Sequence, residues 1–219
     1  MSKLVLVISK TGTGKSSSLR NFKKGEASVI LCSGKELPFK SDLAVMVPKT
    51  STDVVAGIKG ASTPVVVVDD TNYIMSFEEM ARAGEIGYAK FTQMAVNMVS
   101  IFRAISEKPG DQIFYIMAHA ADTEDGMIRF KTTGKMLSEK IVLEGLTNIL
   151  LTNEVADGEF VFKVKTDGTG VKSPMGMFQT DTVENDLKVV NEVIRAYYDM
   201  KPATVPVPVK TLPAKKETA

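Results

Sequence analysis

The sequence has a single cysteine, Cys32, so no disulfide bond can form within the chain. Cys32 ends the apolar run 29–32, a position that predicts a packed thiol rather than a reactive one. No apolar run approaches the length of about 20 residues that a membrane-spanning helix needs. The first residues predict a strand rather than a signal peptide. We therefore expect a cytoplasmic protein with no membrane contact.

A large charge of either sign is also missing. Lysine and arginine together number 27 and aspartate and glutamate 26, which leaves a net charge of +1. No bulk charge draws the chain to nucleic acid, so any such contact must come from a local patch. A small-molecule kinase needs an arginine-rich lid, and this class is the least favoured because arginine is confined to Arg20, Arg82, Arg103, Arg129 and Arg195.

The composition is that of an ordinary globular protein, since 44% of the 219 residues are hydrophobic and 24% are charged. A chain of this length buries about 70% of its unfolded surface, which suits one main domain. Near residue 201 the composition changes to prolines and lysines among small residues. We predict one domain over residues 1–200 and a flexible proline- and lysine-rich tail over residues 201–219.

The most informative segment is 9–16, Ser-Lys-Thr-Gly-Thr-Gly-Lys-Ser, between a predicted strand at 3–8 and a predicted helix at 16–22. A strand, a glycine-rich turn ending in Gly-Lys-Ser and a helix form the layout of a phosphate-binding P-loop. The alternative is a polar turn with a surface lysine, which the flanking elements disfavour. Ser9 stands at the first position, where the pattern has glycine.

Each residue type in this segment has a physical role in binding phosphate. Gly12 and Gly14 allow a tight loop that directs successive N–H groups inward. Lys15 can reach the β- and γ-phosphates, and the Ser16 hydroxyl can bind Mg²⁺. We predict that ATP is bound by Lys10, Thr11, Gly12, Thr13, Gly14, Lys15, Ser16 and Ser17.

Strands and helices alternate along the rest of the domain. Strands are predicted at 27–32, 43–47, 64–70, 113–118, 147–152 and 160–165. Helices are predicted at 52–59, 88–107 and 135–144, with a final one that ends at 200. Ser51 and the pair Asp181 and Glu184 are the expected N-terminal caps. This order predicts an α/β fold with a mostly parallel sheet, helices on both faces and an antiparallel extension.

Two acids follow the valine-rich strand 64–70. Because ligands bind at the carboxyl ends of parallel strands, Asp69 and Asp70 are expected beside the phosphates. We assign Asp69, with Ser16, to the Mg²⁺ shell, and Asp70 to the orientation or deprotonation of the attacking water. The alternative is a turn that carries two solvated carboxylates.

The only histidine, His119, follows the predicted strand 113–118. In this position a polar side chain can touch the γ-phosphate and report its presence. The alternative is a histidine that is simply hydrogen-bonded at a strand end. Taken alone, the histidine favours the second interpretation. With the phosphate loop and the two acids also present, the two interpretations are equally favoured.

The segment after His119, residues 120–134, contains Arg129, Phe130 and Lys131. Basic side chains suit nucleic-acid phosphates, and an aromatic ring can stack on an exposed base. We predict that these three residues bind single-stranded DNA. The alternative is a mobile surface loop, which is the commoner meaning of such a composition.

A set of short motifs extends along the chain beyond the P-loop. Its segments are 13–16, 19–21, 34–40, 68–70 with Tyr73, 87–91, 131–137, 172–178, 185–187 and 197–198. Motifs of this length in a fixed order are more specific than a P-loop alone. Through them, residues 3–198 as a whole resemble a family of bacteriophage RecA-like P-loop ATPases, often described as AAA-type ATP-binding proteins and related to Sak-type recombination ATPases.

The resemblance implies a RecA-like core, binding of ATP and Mg²⁺, and a role in phage DNA recombination or replication in the host cytoplasm. It implies a homo-oligomer on single-stranded DNA. A second hypothesis is a slow or non-hydrolysing ATP-dependent switch that recruits replication proteins, such as a single-strand DNA-binding protein.

The resemblance also adds three catalytic candidates. Glu36 follows the second strand, where RecA-type enzymes place their catalytic acid, so it competes with Asp70 for the water. The alternative, a solvated loop charge, is the commoner meaning of such a residue, and Asp70 is the preferred candidate. The segment 162–178 resembles a RecA hairpin that carries lysines to the nucleotide of a neighbouring subunit. Lys165 and Lys172 are therefore the candidates for contacts made in trans. The alternative is a solvated face of the last strands, which is the usual meaning of lysines in this pattern.

Overall fold

The computed structural model describes residues 1–121, 123–134, 136–166 and 168–203. Within them a sheet has the strand order β3-β2-β4-β5-β1-β7-β8-β9, and β6 pairs with β5. The strands are β1 (Lys3–Ser9), β2 (Ala27–Leu31), β3 (Ala44–Met46), β4 (Val65–Asp69), β5 (Ile113–Ala121), β6 (Arg129–Phe130), β7 (Leu150–Ala156), β8 (Glu159–Lys163) and β9 (Thr182–Glu184). The α-helices are α1 (Ser51–Gly60), α2 (Asn72–Ala81), α3 (Ala89–Ser106) and α4 (Leu187–Tyr197).

The strands from β3 to β7 in this order run parallel, whereas β8, β9 and β6 are antiparallel to their neighbours. The predicted α/β class and mostly parallel sheet are therefore confirmed, as is an antiparallel extension at the β7 side. The turn at Asp157 and Gly158 joins β7 to β8, and both residues have positive φ, 53° and 83°. The register places Ser9 beside His119 and Leu31 beside Asp69.

Helices cover both faces of the sheet because successive strand residues point to opposite sides. On one face, Val66 and Val68 pack with α1, α2 and α3. On the other, Val65 and Val67 pack with α4 and with the 3₁₀ turn Ser16–Leu19. Buried on both sides, β4 reads as an unbroken valine run rather than as an alternating pattern. None of the helices in the described part of the chain has the length and apolarity to cross a membrane.

Several predicted boundaries are wrong. The helix expected at 16–22 is one 3₁₀ turn, because Phe22 turns into the core and is only 5% exposed. The cap of α1 is Thr50 rather than Ser51: its side chain accepts from the Asp53 N–H, and the Asp53 carboxylate accepts from the Thr50 N–H.

The carboxyl-terminal third also differs from prediction. The expected helix at 135–144 is a π-helical turn at Met136–Lys140 and a 3₁₀ turn at Leu143–Leu146, and Lys135 lies outside the described residues. Thr182–Glu184 pairs with β8, and the helix cap is Asp186 instead of Asp181. Most of the predicted tail, residues 204–219, also lies outside the described residues.

Candidate functional site

The carboxyl ends of β1, β4 and β5 meet at one edge of the sheet, the place where open α/β sheets bind ligands. A cleft of about 240 Å³ lies there. It brings together most of the predicted phosphate loop, both acids and the histidine, so its walls include Thr11, Gly12, Gly14, Lys15, Ser16, Ser17, Asp69, Asp70 and His119. Lys10 and Thr13 instead line a neighbouring groove, together with residues of β7 and β8.

The phosphate loop is closed tightly. Gly12 and Gly14 have φ of 81° and 90°, a region that L side chains rarely adopt. A Cβ atom at Gly14 would lie 2.6 Å from Nδ2 of Asn185, so this position also lacks space for a side chain. The Thr13 hydroxyl donates to the Lys10 carbonyl oxygen at 2.9 Å and ties the loop across its base.

Lys15 points back over the loop. Its Nζ donates to the carbonyl oxygens of Ser9 and Lys10 at 3.1 and 3.0 Å, and the residue is only 6% exposed. Burial lowers the pKa of Lys15, while the charges of Asp70 and Asp69 act in the opposite direction. The ammonium group is thus held at the loop, where it can exchange backbone carbonyls for phosphate oxygens.

Ser16 and Asp69, the two predicted Mg²⁺ ligands, are in direct contact. The Ser16 hydroxyl donates to Asp69 Oδ2 at 2.7 Å, and the Asp70 N–H donates to Asp69 Oδ1 at 2.9 Å. Asp69 is 1% exposed. Burial raises its pKa to about 6, the Ser16 hydrogen bond opposes this shift, and the Asp70 charge adds to it.

Asp70 has an unusual backbone and a fixed side chain. Its φ is 54°, a left-handed conformation that turns the carboxylate back toward the cleft. Asp70 Oδ1 lies 3.2 Å from His119 Nε2. Burial acts to raise the pKa of Asp70, but hydrogen bonds from His119 and Ser33 outweigh it and the pKa lies below its ordinary value.

His119 connects the two halves of the site. Its Nδ1 lies 3.2 Å from Oγ1 of Thr11, and its Nε2 contacts Asp70. Nε2 is placed to donate to the Asp70 carboxylate, and Nδ1 lies within hydrogen-bond distance of the Thr11 hydroxyl. The ring also stands edge-on to Tyr73, with centroids 5.9 Å apart. His119 therefore contacts both the phosphate loop and the second acid.

Glu36, the competing candidate for water activation, is exposed and lines the same cleft as Asp70. Lys165 and Lys172 do not line this cleft. Lys165 donates to the Gln179 carbonyl oxygen at 2.9 Å, and the Lys172 backbone exchanges hydrogen bonds with Leu150. Their assignment to the nucleotide of a neighbouring subunit stays a prediction.

The predicted DNA contacts are only partly exposed. Phe130 is 4% exposed and packs edge-on against Phe102, with ring centroids 6.3 Å apart. In this structure the ring is not available to stack on a base, contrary to the prediction. Arg129 lies 4.0 Å from Asp125, and Lys131 is exposed while its N–H donates to the His119 carbonyl oxygen. Arg129 and Lys131 stay predictions for phosphate contact.

A buried chain of amides, not predicted from the sequence, holds the other side of the phosphate loop. Ser9 donates to Asn153 Oδ1 at 3.3 Å, Asn153 donates to Asn185 Oδ1 at 2.7 Å, and Asn185 donates to the Gly14 carbonyl oxygen at 3.0 Å. All three side chains are at most 3% exposed. Ser9 thus has a specific partner where the usual pattern has glycine.

No protein-family model matches this sequence, and no curated protein is significantly similar to it.

Proposed function

We propose that this chain is an ATP-binding, Mg²⁺-dependent ATPase of the RecA-like P-loop class. The observation that carries the proposal is the 2.7 Å contact between Ser16 and Asp69, 53 residues apart in sequence. Through it the end of the phosphate loop meets the acid that ends the valine-rich strand β4, two strands away from β1 in the sheet. This contact supports a Mg²⁺-nucleotide site.

The residues present fit Mg²⁺. Within the described residues no group of three or more His, Cys, Asp or Glu side chains is suited to a metal ion. Mg²⁺ bound with nucleotides needs only one or two carboxylates, because phosphates and water complete its shell. Ser16 and Asp69 would hold it, and when bound it neutralises charge on the β- and γ-phosphates.

The other residues of the cleft divide the remaining work. Lys15 and the inward N–H groups of the loop bind the phosphates. Asp70 and Glu36 are the candidates for orienting water. His119 contacts Thr11 of the loop and Asp70, so a γ-phosphate that displaced either contact would shift the imidazole. The Lys131 N–H donates to the His119 carbonyl oxygen, and this hydrogen bond links the position of His119 to that of Lys131.

A second candidate is the slow or non-hydrolysing switch, and one contact favours it. Asp70 Oδ1 lies 3.2 Å from His119 Nε2, so the carboxylate is already engaged by a hydrogen-bond partner. Hydrogen bonds from His119 and Ser33 lower the pKa of Asp70, and a weakly basic carboxylate is a poor general base. Single-turnover hydrolysis separates the candidates. Product formation within minutes supports the ATPase, and bound ATP that persists for hours supports the switch.

The biological role, in phage DNA recombination or replication as a homo-oligomer on single-stranded DNA, rests on the family resemblance and on the exposed Lys131. Filter binding at several salt concentrations, with and without ATP, tests it. Affinity that falls as salt rises supports a phosphate contact, and an absence of binding in both nucleotide states contradicts it.

Lys15→Ala tests the nucleotide site itself. We expect this variant to lose ATP binding and hydrolysis, because the Lys15 Nζ is the ammonium group held over the loop by the Ser9 and Lys10 carbonyl oxygens. Lys40→Ala, which removes an exposed lysine outside the cleft, is the matched control and should behave as wild type. Normal hydrolysis by Lys15→Ala would contradict the proposal.

A further inference from the structure

We infer that Phe160 is the stacking platform for the nucleobase, an inference that rests on the proposed nucleotide site. Phe160 lies at the start of β8, and its ring contacts the phosphate loop while 47% of the residue stays exposed. The ligand assigned to this surface is the base of a nucleoside triphosphate whose phosphates occupy the loop.

The sheet order indicates the direction in which a bound nucleotide runs. The acids follow β4 and the histidine lies on β5, both on one side of β1. The γ-phosphate and metal belong at that side, where Ser16 meets Asp69. The base therefore leaves on the opposite side of β1, where β7 and β8 lie.

Phe160 stands at that exit. Its Cδ1 and Cγ would lie 3.1 and 3.3 Å from a Cβ atom at Gly14, so the ring packs directly against the loop backbone. Gly14 itself lines the cleft, so the ring lies against a residue that borders the phosphate site. The ring also limits Gly14 to glycine, together with Asn185.

The surroundings hold this wall in place without covering the ring. The Asn185 N–H donates to the Phe160 carbonyl oxygen at 3.2 Å. The Arg20 guanidinium donates to the carbonyl oxygens of Ser17 and Asn185 at 3.2 and 2.5 Å, tying the helical turn to the same wall. An ordered aromatic ring that is half exposed beside a phosphate cradle suits a planar, apolar ligand face.

Comparing ATP with inorganic tripolyphosphate tests this assignment, since the second ligand has the phosphates but no base. Association constants for both would be measured by calorimetry with Mg²⁺, on wild type, Phe160→Ala, Phe160→Leu and Phe160→Tyr. Phe77→Ala is the matched control, because Phe77 is 45% exposed and lies on α2. Thermal unfolding shows that each variant is folded, and Phe160→Leu keeps an apolar side chain at the site.

We expect Phe160→Ala to bind ATP about tenfold more weakly and tripolyphosphate as wild type does, since stacking acts on the base alone. Phe160→Tyr should bind ATP as tightly as wild type does, and Phe160→Leu should bind ATP nearly as weakly as Phe160→Ala does. Phe77→Ala should change the affinity for neither ligand. Equal losses for ATP and tripolyphosphate, or no loss for ATP, overturn the inference. A wild-type protein that binds tripolyphosphate as tightly as ATP also overturns it, whereas one that binds neither contradicts the proposed function itself.

Discussion

Two flanks hold the phosphate loop, and they differ in chemistry. The acid flank, at the ends of β4 and β5, consists of Asp69, Asp70 and His119, which contact Ser16 and Thr11. The amide flank, at β7, β8 and the start of α4, consists of Asn153, Asn185 and Phe160, which contact Ser9 and Gly14. We propose that the charged groups on one side carry the chemistry, whereas the neutral groups on the other side pack against the loop and hydrogen-bond to it.

Because one flank is charged and the other is neutral, we expect the two flanks to respond differently to mutation. Changes in the acid flank should alter Mg²⁺-dependent activity and the dependence of stability on pH. Changes in the amide flank should alter the free energy of unfolding by the same amount at every pH, because amides do not titrate.

The largest effect is expected for Asp69→Asn on hydrolysis. Replacing the carboxylate beside Ser16 removes the charge that attracts the metal, so ATP hydrolysis should fall by at least about 100-fold. Initial rates at saturating Mg²⁺ measure it, with Asp42→Asn, an exposed carboxylate, as control. A loss of less than tenfold would indicate that the metal binds away from the acid flank.

Although Asp69→Asn should lose activity, it should gain stability at neutral pH. Burial raises the pKa of Asp69 to about 6, above its ordinary value of 3.8, so the folded chain keeps a proton that the unfolded chain has released. The free energy of unfolding therefore falls as pH rises from 4 to 6, by on the order of 3 kcal/mol for this group.

Urea unfolding without metal at pH 4.5 and pH 7 measures this difference. Asp69→Asn should be more stable than wild type at pH 7, and the advantage should be smaller at pH 4.5. Asp70, whose pKa is lowered, contributes stability that is lost only below its ordinary pKa, outside this window. An identical advantage at both pH values would contradict the buried, protonatable Asp69.

Asn185→Ala tests the amide flank. It leaves the Gly14 carbonyl and the Asn153 amide without their buried partner, so unfolding should cost about 2 kcal/mol less. ATP should bind more weakly, since the loop loses its tie to α4. Asn148→Ala, at an exposed asparagine, is the control for urea unfolding at both pH values. A loss that varies with pH would show that the two flanks are not separate.

The smallest effect is expected for Ser9→Ala. One buried acceptor, Asn153 Oδ1, loses a donor at 3.3 Å, which should lower the free energy of unfolding by about 1 kcal/mol. ATP affinity should stay close to that of wild type, because the Ser9 carbonyl that contacts Lys15 is retained. Urea unfolding measures the free energy of unfolding, and calorimetry measures the ATP affinity. A loss of stability as large as that of Asn185→Ala would contradict the smaller effect expected for Ser9→Ala.

The two flanks also differ in how far the sequence predicts them. The acid flank depends on contiguous signals, a Gly-Lys-Ser turn after one apolar strand and two acids after another, and parallel strands then bring these ends together. The amide flank joins Gly14 to Asn185 across 171 residues, and no local pattern marks an asparagine as a loop tie. Its strand β9 is three residues long and recognisable only through its pairing with β8.

The helices also differ in how far the sequence predicts them. The long apolar stripe of α3 predicts a helix there. The sequence does not predict α2, which begins directly after the two acids and has no side-chain cap at Thr71. Phe130 was misjudged because a basic–aromatic–basic triplet gives no sign that the ring turns inward against Phe102. Short-range chemistry is therefore readable from sequence, and packing across the sheet is not.

A crystal structure with an ATP analogue and Mn²⁺ in place of Mg²⁺ tests whether the loop 9–16 binds the nucleotide and whether Ser16 and Asp69 hold the metal. Anomalous scattering locates the Mn²⁺ ion. We predict one Mn²⁺ between the β- and γ-phosphates, bound by the Ser16 hydroxyl and reached by Asp69 directly or through one water. A nucleotide bound away from the loop 9–16, or a metal remote from both residues, would contradict the account.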